Sequence, residues 1–409
     1  MNQKWLNNMN GYMKVWLKKR MIPQQWQAAK EVIKKIEHAG YEAFIVGGAV
    51  RDYYLQEENN DVDIATSALP EEIQTIFSQT IDVGIAHGTV IVLDCGEPIE
   101  VTTYRTESTY SDHRRPDAVE FVRNLQEDLK RRDFTMNAMA LSQTGEFIDY
   151  YDGRQHIDSK MICAVGEPGQ RFEEDALRML RAVRFAAQLH FSIEDNTFEA
   201  IRQNAASIEY VAIERIQVEL SKIFISAHSA FGIEYMEKTT LSHYLYGEFN
   251  SSDWTHFASD DRQVGWAYFC LINGSDLNLL TKYRCSNKDR LFVKTVMDAY
   301  ESLLDGISHV DLMRFDSMVL KTACQFVIWQ NHTLDVVYEE LVARKSTLPL
   351  QHAHELAITG KDLLVWSSKK RGSWIKQALD AAVEAVLNGE VQNDKQQLKE
   401  WFYAFHDEG

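Results

Sequence analysis

Apolar residues recur at helical spacing from Gln24 to Ala39 (Trp26, Ala29, Val32, Ile33, Ile36), and Gly40 supplies the stop. The rhythm then shortens. Ala43 to Val46 is an unbroken apolar run that fits a buried strand, Gly47-Gly48 makes a tight turn, and Ala49 to Leu55 restarts a helix. Asp61 to Ala65 predicts a second strand and Leu69 to Phe77 a helix. Two more strands are predicted, His87 to Asp94 and Ile99 to Tyr104, around a turn at Gly96. Strands alternating with helices over residues 24–150 predict a small α/β head with a mixed sheet. After Gly153 the period changes for good. Arg171 to Phe224 reads as almost continuous helix, and helical spacing persists to the end with breaks at Gly274, Asn287, Pro349 and Gly360. The expected class is α+β, one small head followed by a long all-helical region.

Composition narrows the function classes. The chain has 409 residues and a formal charge of −17, which predicts two to four compact units and disfavours a generic cationic nucleic-acid coat. A local basic face remains compatible with RNA. No apolar run approaches the roughly 18 residues that span a bilayer, so no membrane is expected. The five cysteines are scattered, with no CxxC pair or Cys/His cluster, and reduced thiols in a cytoplasmic protein are the simpler expectation. Ahead of Pro23 lie Lys4, Lys14, Lys18, Lys19 and Arg20 with no acid, and Asn7-Asn8-Met9-Asn10-Gly11 interrupts any secretory apolar core. Residues 1–23 therefore read as a basic extension: an RNA-holding arm, or an upstream start with Met21 as the natural first residue.

The candidate chemistry begins with carboxylates. Asp61 and Asp63 stand at i and i+2 on a predicted strand, which projects both from one face. Upstream, Gly47 and Gly48 lie between strand and helix, where bare backbone N–H groups and a helix N-terminus suit a phosphate chain, and Arg51 can add a charge-assisted contact. Glu100 opens a later strand suited to the same sheet. Three such carboxylates form a hard oxygen site for Mg²⁺, two ions of which can activate a hydroxyl and neutralise a leaving pyrophosphate. The plainer reading leaves Asp61 capping a turn and Asp63 solvated. In the dense block Arg131 to Ala138, Arg132 could hold a triphosphate, and Asp133 and Asn137 a sugar or a helix cap; taken alone, the block reads as well or better as a solvated basic turn.

Along Glu174 to Phe185, Asp175, Arg178, Arg181 and Arg184 step by three and share one helix face. A salt-bridged surface helix would need nothing more. The pairing also matches base edges: cytosine and adenine present an exocyclic amino donor beside a ring-nitrogen acceptor, complementary to a carboxylate beside a guanidinium. Uracil and guanine reverse that order, and each mispaired buried polar group costs about 1–3 kcal/mol. One Asp–Arg pair can thus choose CTP and ATP over UTP and GTP without a template strand.

Taken in order, Gly47-Gly48-Ala49-Val50-Arg51-Asp52, Asp61-Val62-Asp63, Arg131 to Ala138, Glu174-Asp175-Ala176-Leu177-Arg178 and Glu214-Arg215-Ile216 resemble the class II tRNA nucleotidyltransferases, the bacterial CCA-adding enzymes. Similarity is dense over residues 24–225 and looser beyond. The resemblance implies a polymerase-β-like nucleotidyltransferase head at 24–153, a base-reading neck at 154–228, a body at 229–345 and a tRNA-binding tail at 346–409, all helical after the head. It implies that Asp61 and Asp63 bind catalytic Mg²⁺ and that Glu100 assists the tRNA 3′-hydroxyl. By the same likeness Gly47, Gly48, Arg51, Arg132, Asp133 and Asn137 attend the nucleotide's phosphates or sugar. Asp175 and Arg178 read the base, supported by Arg181 and Arg184, with Glu174, Glu214 and Arg215 bracing them. The expected substrates are CTP, ATP and the 3′ end and acceptor arm of tRNA. Lys369, Lys370 and Arg371 are expected to meet RNA, and the oligomeric state, a homodimer included, stays open.

Two segments test the likeness. The charged stretch Arg105 to Pro116 resembles the family's flexible loop required for the final A. Asp149-Tyr150-Tyr151-Asp152-Gly153 occupies its head–neck hinge, where Pro often follows the first Asp, so Tyr150 puts hinge stiffness in question. An A-only enzyme is one rival. A poly(A) polymerase is another, although Gly88 to Gly96 lacks its extra Arg-rich signature. A catalytically silent RNA-binding protein is a third, opposed by the intact Asp61, Asp63, Asp175 and Arg178.

Overall fold

The computed structural model describes residues 24–59, 61–84, 88–107, 119–330 and 338–407; the basic N-terminal extension and residues 108–116 of the Arg105–Pro116 loop lie outside them. The chain forms two compact units, Met1–Ser252 and Asp253–Gly409.

In the first unit, strands β1 (Ala43–Val46), β2 (Asp63–Thr66), β3 (Thr80–Gly84), β4 (Thr89–Val92) and β5 (Ile99–Thr103) join one sheet. β6 (Arg105–Glu107) and β7 (Val119–Phe121) form a separate antiparallel ribbon. β8 (Met139–Leu141) and β9 (Phe147–Asp149) complete the seven-stranded sheet, whose order is β3-β4-β5-β2-β1-β8-β9. The β2–β5 pair is parallel and the others antiparallel, giving the mixed sheet expected. Helix Gln24–His38 buries Trp26, Ala29, Val32, Ile33 and Ile36, and Gly40 turns with φ +92° where a side chain would be strained.

Several expectations need correction. β2 begins at Asp63, not Asp61, because its partner β1 ends at Val46, opposite Asp63, and turns away at Gly47. β3 has no counterpart in the sequence pattern: as an edge strand it leaves Ile81 and Val83 about half exposed, so no buried run announces it. β8 and β9 were hidden because each is only three residues long. The long helix expected over Arg171 to Phe224 is broken. Pro168–Glu174 ends at an extended Asp175, Leu177–Leu189 follows, and Asp195–Asn204 and Ile213–Phe224 come after a short strand and a 3₁₀ turn. Residues of the expected loop, Arg105 to Glu107, are strand rather than coil.

Helix Ser229–Lys238 packs on Leu177–Leu189 so closely that a Cβ at Gly232 would lie 2.7 Å from Ala187 Cβ. The second unit is helical throughout its described elements. Trp254, Phe257, Tyr268, Phe326 and Trp329 form its aromatic core, and Leu363, Ala382, Leu398 and Phe402 form another cluster towards the C-terminus.

Candidate active site

Sheet register builds the acidic end. Asp63 sits opposite Val46 of β1 on one side and opposite Glu100 of β5 on the other. In the parallel β2–β5 pair, register partners share a face, so the two carboxylates stand together. Asp61 precedes the ladder, yet Val62 and Ile64 are buried while Asp61 is exposed and Asp63 half-buried, so the alternation carries through. Burial, then the charges of Glu100 and Asp61, push the Asp63 carboxyl up to about 6, with Arg132 opposing them.

The glycine turn stands beside this cluster. Gly47 has φ +75°, and a Cβ there would stand 3.2 Å from Arg132 Nη1. The left-handed conformation calls for glycine, and any side chain there would press on the Arg132 guanidinium. Gly48 opens helix Gly48–Leu55, and Arg51 Nη2 lies 3.6 Å from where its side chain would begin. Two guanidiniums therefore flank a bare turn, one residue beyond the strand end that faces Asp63.

A hydrogen-bonded chain leads from this end to the helix of the base-reading motif. Arg51 Nη1 donates to Asn137 Oδ1 at 2.8 Å, and Asn137 Nδ2 donates to Asp133 Oδ1 at 3.1 Å. Asp133 Oδ2 accepts from Arg181 Nε at 2.8 Å, while Oδ1 also accepts the Phe134 N–H. Burial alone would raise the Asp133 carboxyl; the Arg181 charge and these donors hold it well below the usual carboxylate range. Asp133 and Asn137 are thus internal struts in this structure. Phe185 lies under three guanidiniums, with Arg184 at 4.0 Å, Arg51 at 5.1 Å and Arg181 at 5.5 Å from its ring centre.

Asp175 and Arg178 do not share a helix. Asp175 has φ −146° and ψ 100° at the end of Pro168–Glu174, and Arg178 lies in the first turn of Leu177–Leu189. Nor do they form the i,i+3 ion pair of the surface-helix reading. Arg215 grips Asp175 with both Nη groups, at 3.1 and 2.7 Å. Arg178 Nη1 donates to Glu174 Oε2 at 2.6 Å, and Nη2 donates to the Arg131 carbonyl at 2.9 Å. That carbonyl belongs to the residue before Arg132, whose own guanidinium reaches the glycine turn. Glu214 occupies the first turn of the helix that carries Arg215. Arg184 pairs with buried Glu219, Nε to Oε2 at 2.6 Å.

Some residues carry more than their sequence context disclosed. Asp128 is almost wholly buried and accepts from Arg131 Nε at 3.0 Å, Arg132 Nη2 at 3.2 Å and the Arg105 N–H at 3.3 Å. Its helical spacing to Arg131 and Arg132 was the available signal; Glu219 and Phe185 had none. Asp149 caps the Gly153 and Arg154 N–H groups at 2.8 and 3.0 Å, bracing the hinge through its first Asp. Lys369, Lys370 and Arg371 are exposed in the second unit, between helices Gly360–Trp366 and Trp374–Leu387.

Among the described residues no three His, Cys, Asp or Glu side chains converge tightly enough to enclose an ion. Mg²⁺ does not require that; it is commonly held by one or two carboxylates with water and substrate phosphates completing its shell. The donor chemistry fits: hard oxygens from Asp61 and Asp63, with Asp63 disfavoured as an anion by burial and then by its acidic neighbours.

Known proteins show the same plan. Residues 43–163 match a family model described as the Poly A polymerase head domain, residues 190–252 one described as a probable RNA and SrmB-binding site of polymerase A, and residues 257–402 one for tRNA nucleotidyltransferase domain 2. The CCA-adding enzyme of Bacillus cereus (strain G9842) is 38% identical over 402 residues, covering 92% of this chain and 98% of the relative. That of Geobacillus thermodenitrificans (strain NG80-2) is 39% identical, covering 92% and 96%. The crystal structure of the Bacillus stearothermophilus CCA-adding enzyme in complex with CTP superposes with a TM-score of 0.86 at 36% identity, covering 95% of this chain and 98% of that one. Similar from end to end at these identities, the chain belongs to the class II tRNA nucleotidyltransferases, the CCA-adding enzymes.

Proposed function

We propose that Asp61, Asp63 and Glu100 perform, and Asp175 and Arg178 direct, the template-independent addition of C, C and A to the 3′ end of tRNA from CTP and ATP, with release of pyrophosphate. Asp61 and Asp63 hold Mg²⁺, which supplies charge neutralisation for the attacking and leaving oxygens. Glu100, in register with Asp63, is placed to draw the proton from the tRNA 3′-hydroxyl. The bare Gly47-Gly48 turn admits the triphosphate between the guanidiniums of Arg51 and Arg132. Asp175 accepts from the exocyclic amino group of the base and Arg178 donates to its ring nitrogen, both held in place by partners other than each other. In the second unit, Lys369, Lys370 and Arg371 contribute phosphate contacts, so tRNA affinity falls steeply with salt.

The observation that carries this reading is the continuous bonding from Arg51 through Asn137 and Asp133 to Arg181, which ties the phosphate-binding turn to helix Leu177–Leu189, the one that carries Arg178. The test uses tRNA lacking its 3′ CCA and each labelled nucleotide in turn. The wild-type chain should add two C and then one A, whereas an A-only enzyme would need a CC end and a poly(A) polymerase would run on. Asp61→Ala should abolish incorporation while tRNA binding persists; retained turnover would refute the metal assignment.

A further inference from the structure

Asp61 is exposed and lies outside the β2 ladder, so no strand partner positions it. Among the described residues, one side chain holds its backbone. The Asp61 N–H donates to Asn59 Oδ1 at 2.7 Å, a local side-chain-to-backbone bond of the kind that fixes an Asx turn. Asn59 is itself held from two other directions. Its Nδ2 donates to Asp52 Oδ2 at 2.6 Å, and its carbonyl accepts from Trp26 Nε1 at 2.9 Å. The other Asp52 oxygen accepts from Arg51 Nε at 2.8 Å. One amide thus links the carboxylate-bearing segment, through Asp52, to the arginine beside the glycine turn.

We infer that Asn59 is a positioning residue for Asp61, setting the distance between the carboxylate end of the site and the Arg51 phosphate contact. This rests on the reading of Asp61 as a Mg²⁺ ligand. Alanine at position 59 removes both the acceptor for the Asp61 N–H and the donor to Asp52. Asp61 then loses the one side-chain tether it has among the described residues, while the base-reading residues, which are anchored through Glu174, Arg131 and Arg215, are untouched.

The experiment compares full-length wild type, Asn59→Ala and Asp61→Ala on tRNA lacking its CCA end. Turnover is followed as Mg²⁺ is titrated, Mn²⁺ binding is measured by electron paramagnetic resonance without turnover, and the folded fraction is measured by circular dichroism. Asn59→Ala should lower kcat roughly 10-fold, the scale for losing an outer-shell support, and weaken Mn²⁺ binding similarly. Its KM for CTP and its preference for CTP over UTP should stay at the wild-type values. Wild-type Mn²⁺ affinity and Mg²⁺ dependence in folded Asn59→Ala, beside an inactive Asp61→Ala, would overturn the inference and leave the Asp61 reading standing. Turnover by Asp61→Ala would overturn that reading, and this inference with it.

Discussion

At the head end of the site, Asp61 and Glu100 are exposed, and Asp63 is partly buried beside both, which pushes its carboxyl up to about 6. At the neck end, Asp175 and Arg178 are mostly covered, and each is bound by partners other than the other. The contrast fits the work proposed for each end. A carboxylate that must take up a cation is kept short of internal partners, since every internal donor would compete with the ion. A carboxylate and a guanidinium that must distinguish bases need fixed positions, because discrimination rests on mispairing that the protein does not relax to relieve. The Arg51–Asn137–Asp133–Arg181 chain spans the two, and Phe185 lies between their arginines.

The neck end is the place to look for a large cost in stability. Arg184 and Glu219 are both buried and stand 2.6 Å apart, with the N–H poorly aimed at the oxygen. Glu219→Ala strands the guanidinium in a poorly solvated site, and removing one partner of a buried pair costs about 3–5 kcal/mol. The imperfect geometry places this case near the lower bound. Urea unfolding should show the loss, and an unchanged midpoint would mean that the neck is not braced as described.

A smaller effect belongs to the head end. Asp63 has a folded value near 6 against an ordinary 3.8. Between those values the folded chain binds more protons than the unfolded one, so ionising Asp63 costs stability as pH rises through that window. Mg²⁺ should offset this cost only where the carboxylate is charged. Its rise in Tm should therefore be larger well above pH 6 than well below pH 4. A Mg²⁺ effect independent of pH would remove Asp63 from the metal site.

Much of this was legible in the sequence because chemistry imposed residue types at fixed spacings. Gly47 had to be glycine for its φ, Asp61 and Asp63 announced themselves by their i, i+2 spacing on a predicted strand, and Glu100 by its place at the start of another. What stayed hidden depended on tertiary partners. The three-residue step from Asp175 to Arg184 continues across a backbone break, so periodicity alone made one helix of two segments. Asp133 and Asn137 looked like ligand contacts because polar residues in a dense motif do not reveal whether they face a substrate or each other. Asp128 and Glu219 drew no notice as acids on helices, although the fold buries both.

The central claim is that Asp175 and Arg178 stand in for a template base. It is tested most directly by kcat/KM for CTP and UTP, measured with wild type and Arg178→Ala on tRNA lacking its CCA end. The account predicts that the CTP preference of the variant falls about 10-fold or more, as expected when 1–3 kcal/mol of mispairing penalty is removed, while Mg²⁺ dependence is unchanged. A variant that discriminates as well as the wild type would contradict it.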